Sequence, residues 1–171
     1  MVVTTQTARH GANDFDFLWG RWRVDHERLS SRLTGSDDWE RFAAVQTCWP
    51  ILGGSGNVDN MRATWRGQNF EGASLRLFDP TTGLWSIYWA DTVGHQLQPP
   101  VVGRFENGVG EFVGDDRHAG REILARFRWS DISAGAARWE QAFSTDRGVA
   151  WETNWIMTFT RLAEQSDKET L

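Results

Sequence analysis

Three ionisable side chains, His26, Asp59 and Asp91, fall on the same alternating rows as several tryptophans. An imidazole and two carboxylates are enough for general acid–base catalysis once a dry pocket has shifted their pKa values. Such a set needs no cofactor and suits an isomerase, lyase or cyclase acting on a hydrophobic molecule. Tyr88, the only phenol of the chain, would be a further proton donor from the facing side. A second polar group appears if the opposite strand faces point inward: Glu140, Glu152 and Asn154, with His118 at the barrel mouth. His118 stands in the turn Asp115-Asp116-Arg117-His118, where two flanking carboxylates would raise its pKa.

Other chemistries lack their residues. Cys48 is the single cysteine, so an intramolecular disulfide or a paired-thiol zinc site is impossible. The only lysine, Lys168, lies at the far end, leaving no internal amine for a Schiff base. Gly53-Gly54-Ser55-Gly56 has neither the lysine nor the following helix of a phosphate-binding loop. His10, His26, His95 and His118 lack metal-ligand spacing, so no metal is expected. No cofactor is expected either. The alternative is haem, which needs one axial histidine, and His95 in the loop after the 84–91 segment is its candidate. The formal net charge is −5, and arginines alternate with Asp and Glu along the chain. That pattern predicts salt-bridged outer strand faces rather than a basic face, and therefore no nucleic-acid partner. No apolar run approaches the ~20 residues needed to span a bilayer, and the opening residues lack a secretory pattern, so a cytoplasmic protein with no membrane partner is expected.

The elements that must position these residues are strands. From Arg21 onward the dominant signal is alternation at period two, because successive strand side chains point to opposite faces. It places strands over 21–32, 39–49, 57–65, 71–79, 84–91, 99–106, 109–116, 121–130, 137–144 and 150–161. Asn107-Gly108 suits a two-residue type I′ hairpin, Asp79-Pro80-Thr81-Thr82-Gly83 a longer loop and Asp146-Arg147-Gly148 a tight reversal. Residues 14–20 read as a short helical turn that would plug one end. About ten strands joined by short links, with no helix to cover them, predict an all-β, closed up-and-down antiparallel β-barrel. The barrel domain is expected over 14–162, with flexible ends at 1–13 and 163–171.

Eleven tryptophans and ten phenylalanines must dominate the interior. If the ring-rich faces point inward, the ligand-facing set is Trp22, Met61, Trp65, Trp85, Trp89, Trp129, Trp139 and Trp155, with Gln141 and Thr153 as polar members of the same rows. Val24, Ala63, Ile87, Ile123, Ala125, Phe127, Phe143, Trp151, Met157 and Phe159 share those faces.

The opening Asp16-Phe17-Leu18-Trp19-Gly20-Arg21-Trp22, followed by an all-β meander that ends in Trp151-Glu152-Thr153-Asn154-Trp155 and Phe159-Thr160-Arg161, resembles the calycin group of lipocalin-like barrels. More narrowly it is similar to a family of uncharacterised bacterial proteins with that fold. The Gly20-Arg21-Trp22 element has the Gly-x-Trp form that such barrels use to close one end. The resemblance implies binding of a small, largely apolar molecule in the barrel mouth. Three functions are therefore expected in turn: a binder of a small hydrophobic or aromatic molecule, a cofactor-independent acid–base enzyme using His26, Asp59 and Asp91, or a structural domain with a filled core. In the last, the Trp151/Trp155 row would be the seam of a homodimer.

Overall fold

A computed structural model describes residues 11–163. Among them ten strands follow one another: β1 (Gly20–Leu29), β2 (Trp39–Ile51), β3 (Gly56–Trp65), β4 (Gln68–Asp79), β5 (Leu84–Asp91), β6 (Val101–Glu106), β7 (Val109–His118), β8 (Arg121–Ser130), β9 (Ala136–Ser144) and β10 (Glu152–Arg161). Each pairs antiparallel with its neighbour in sequence, and β1 pairs with β10 to close the barrel. Closure leaves no edge strand for intermolecular pairing, which is why so apolar a meander needs no covering helix. No helix among the described residues is long and apolar enough to cross a membrane.

Turn chemistry sets the register. Asn107 and Gly108 both have positive φ, 51° and 79°, as a type I′ hairpin requires. Arg66-Gly67 and Ala119-Gly120 make two further turns of the same kind, with a non-glycine residue in the left-handed region before each glycine. Several predicted boundaries move, two of them beside the barrel mouth. The first strand stops at Leu29 instead of continuing to residue 32, so Arg32 belongs to the loop that follows. The seventh strand runs on through His118, which is thus a strand residue paired with Arg121 rather than part of a turn. The reversal at Asp146-Arg147-Gly148 is a longer loop, held by Ser144 and Asp146 accepting hydrogen bonds from the N–H groups of Gly148, Val149 and Ala150.

One end is plugged. A short 3₁₀ turn, Asp16–Leu18, carries Phe15 into the barrel, where its ring meets Trp85 and Phe105 edge-on at 5.0 Å and Phe112 at 5.6 Å. The Trp22 indole donates to the Leu18 carbonyl (2.8 Å), and the Trp85 indole to the Gly11 carbonyl (2.9 Å). Arg161, at the end of β10, lies 4.1 Å over the Trp22 ring and donates to the carbonyls of Trp19, Phe17 and Ala134. One guanidinium therefore satisfies three loop carbonyls and ties the last strand to the plug. The packing reaches back to Gly11 and Ala12; residues 1–10 and 164–171 of the two predicted flexible ends, with His10 and Lys168, lie outside the described residues.

The arginines divide by face. Most alternate outward, as in Arg23–Asp25 and Arg66–Glu40, exposed pairs of the kind that contribute about 0–1 kcal/mol each. Arg28 and Arg76, in contrast, are buried inside the barrel.

Candidate functional site

Above the plug the rings stop short of filling the barrel. They leave a cavity of about 210 Å³, walled by Trp89, Trp129, Trp139, Trp155, Phe127 and Phe143. Trp155 is the hub of the wall: its ring stands edge-on to Trp89 (5.8 Å, 90°) and to Trp139 (5.6 Å, 85°). Pairs in this geometry are worth about 0.5–1.5 kcal/mol each beyond their buried area, so the indoles hold one another in place. Trp89 sits on Gly72 across the β4–β5 pair, where any side chain would collide with its six-membered ring. The Trp89 indole also donates to Asp91 (3.0 Å).

The floor is Arg76. Its Nη1 donates to Asp59 (2.6 Å) and Asn57 (3.0 Å), and its guanidinium lies over the rings of Phe15 and Trp129. Asp59 accepts in addition from the Ser74 N–H at 3.2 Å. In the wall, Arg28 is sandwiched between Trp65 (4.5 Å) and Trp155 (4.3 Å). Burial, then the neighbouring Arg32 charge, pull the Arg28 guanidinium down to about 10, which leaves it cationic near neutrality. The mouth is framed by Arg32, Asp116, Arg117, His118 and the loop through Val93, Gly94 and Gln98.

The three acid–base candidates are not exposed together on this cavity. His26 lies behind the wall: its ring stacks on Phe42 (4.3 Å, 10°), and its Nδ1 accepts from the Trp155 indole (2.9 Å). Burial, with Arg28 adding to it, depresses its pKa to about 3, so it stays neutral and orients Trp155. Asp59 lies beneath Arg76. Asp91 alone borders the cavity, and its carboxylate already accepts from Trp89 and from the N–H groups of Val93 and Gly94.

Of the predicted ligand-facing set, Trp89, Trp129, Trp139, Gln141 and Trp155 line the cavity. Trp22, Met61 and Trp85 point inward but are fully buried in the filled core, and Trp65 packs against Arg28 without reaching the cavity lining. Thr153 is a correction: it lies on the outer face beside Arg126 and Glu140. The cause is a β-bulge in β10, where the register shifts between Thr153 and Trp155. One extra residue reverses which way the preceding side chains point. Trp151 is thereby turned outward under Arg126 while Trp155 stays inside, so the two tryptophans form no continuous seam.

The bulge also divides the second polar cluster. Glu140 is outside, ion-paired with Arg128 and Arg138. Asn154, the bulged residue, is wholly buried and accepts from Gln141 Nε2 (2.8 Å). Glu152 turns inward and accepts from the Leu33 N–H (2.8 Å). His118 does border the cavity, but its pKa is lowered, not raised: burial and the Arg32 charge outweigh Glu152 and Asp116. His95, the haem candidate, is exposed and is not among the lining residues. Burial pushes the Cys48 thiol up to about 12, which makes it a poor nucleophile.

Sequence reasoning missed Arg28, Arg32, Gln46, Ser74 and Arg76. Extending the Trp22-Val24-His26 row by one step reaches Arg28, so a signal existed there. Arg76 likewise shares its row in β4 with the buried Phe70 and Phe78, whereas for Gln46 the signal was weaker.

No protein-family model and no curated protein sequence matches the chain. Among solved structures, an S-type phycobiliprotein lyase from Guillardia theta is similar over 88% of this chain and 92% of its own, at 11% identity and a TM-score of 0.58. A redesigned β-barrel covers 90% of this chain and 96% of its own (10% identity, TM-score 0.49). A protein of unknown function of the DUF3598 family from Nostoc punctiforme covers 89% and 99% (7% identity, TM-score 0.27). Only the first exceeds 0.5, and at that identity it shows the barrel fold alone.

Proposed function

We propose that this barrel binds a small aromatic molecule in the cavity between its plug and its mouth. The observation that carries the reading is the unfilled space itself: four indoles converge on about 210 Å³ that a core built only for stability would fill. The cavity is smaller than the roughly 300–1,000 Å³ of drug-sized sites, which favours one or two fused rings over a long chain or a macrocycle. The edge-on tryptophans present both ring faces and edges to such a guest. The closed end, with Arg161 over Trp22, supports kinship with lipocalin-like barrels, and a lone buried thiol suits a reducing cytoplasm.

Binding is favoured over acid–base catalysis because His26 is held neutral behind the wall and Asp59 is consumed by Arg76. The test is titration of intrinsic tryptophan fluorescence with a panel of one- and two-ring aromatics. Saturable quenching at one site is expected for at least one ring class, and it should be lost in Trp139→Ala. A panel that leaves the emission unchanged throughout refutes the proposal.

A further inference from the structure

The rings of the cavity do not account for its charge. Four arginines border it, Arg28, Arg32, Arg76 and Arg117, against two aspartates, Asp91 and Asp116, in a protein of formal net charge −5. Arg76 and Arg117 have ion-pair partners in Asp59 and Glu122. Arg28 and Arg32 form no ion pair among the described residues. Arg28 is only 8% exposed, and its Nη1 has no hydrogen-bond partner. The flanking Trp65 and Trp155 rings and the more distant Asp91 and Glu40 charges favour the cation, yet none of them supplies its Nη1 with an acceptor.

The unpaired polar atoms of the lining residues are all of one kind. Arg28 Nη1, Gln46 Nε2, Arg76 Nε and Trp129 Nε1 are donors, and no acceptor shares their condition. The nearby carboxylates are already committed: Asp91 to Trp89 and two backbone N–H groups, Glu152 to the Leu33 N–H, Asp116 to the Arg117 N–H. Arg28 and Arg32 are thus left without a carboxylate in direct contact, although three stand nearby.

We infer that the ligand is a small aromatic monocarboxylate, its carboxylate held by Arg28 and Arg32 and its ring against Trp139 and Trp155. The inference rests on the cavity being a binding site, as proposed above. The planar guanidinium fork matches a carboxylate in two parallel hydrogen bonds. A phosphate dianion fits less well, because Asp91, Glu152 and Asp116 all act electrostatically on Arg32 and oppose a second negative charge at the mouth.

The experiment is calorimetric titration of the full chain near pH 7 with phenylacetate, phenylacetamide, toluene and phenyl phosphate. One charge-assisted hydrogen bond predicts that phenylacetate binds about tenfold to a hundredfold more tightly than the isosteric amide. Arg28→Gln should shrink that ratio at least fivefold. Arg32→Gln, at a half-buried loop position that threatens the fold less, should shrink it in the same direction. Equal affinity for acid and amide, a ratio unchanged in both variants, or a preference for phenyl phosphate overturns the inference while leaving ring binding intact. Failure of all four compounds to bind removes the binding reading and this inference with it.

Discussion

Replacing Asp59 with Asn removes a charge at the floor of the cavity while keeping its shape, and the structure predicts a large effect. The Arg76–Asp59 pair is 2.6 Å long, with side-chain exposures of 4% and 1%. Removing one partner of so buried a pair strands the other charge, at a cost of roughly 3–5 kcal/mol. Arg76→Met should cost a similar amount, because Asp59 would then keep only the Ser74 N–H. The double variant removes both charges together and should lose no more than about 2 kcal/mol, since apolar replacement of a whole buried pair is often close to neutral. The resulting coupling of about 4 kcal/mol or more lies above the usual range of roughly 0.5–3 kcal/mol for residues in contact. Urea unfolding followed by tryptophan emission reads it directly: with m near 1–3 kcal/mol/M, each single variant should lower the midpoint by about 1–5 M. Additive losses below about 1 kcal/mol each would refute the claim that this pair holds the floor together. A proton-transferring Asp59 predicts the reverse, lost chemistry with stability retained.

Three further outcomes follow from named contacts. His26 is depressed from 6.5 to about 3, so the folded state resists protonation; its stabilising contribution is complete above pH 6.5 and should fall by about 3 kcal/mol between pH 7 and pH 4. His26→Leu should flatten that part of the stability–pH curve, and a slope unchanged by the variant refutes the assignment. Gly72→Ala places a Cβ inside the Trp89 ring and should destabilise by about 1–3 kcal/mol while altering near-ultraviolet dichroism; an unchanged spectrum and midpoint would contradict the packing. Phe15→Ala empties the centre of the plug and should cost about 3–5 kcal/mol in denaturant titration, whereas a loss below 1 kcal/mol would mean the barrel end is closed by other groups.

The alternation of side chains was enough to read the barrel from the chain. Period two is a property of the backbone itself, so the rows through Trp22, Trp85, Trp129 and Trp139 identify inner faces without any knowledge of their neighbours. Turn residues are equally local, as Asn107-Gly108 shows, and the plug announces itself by rings beside Gly20. What the tertiary structure alone decided was the site. The bulge at Asn154 exists only relative to β9, where one strand must fit an extra residue against Gln141, and that mismatch turned Thr153 and Trp151 outward. Which arginines turn inward depends on partners distant in the chain: Asp59 for Arg76, and Trp65 with Trp155 for Arg28. Where the rings close into solid core and where they leave room is a matter of summed volumes across ten strands. No local period encodes such a sum, so the cavity and its unpaired donors appear only once the barrel has closed.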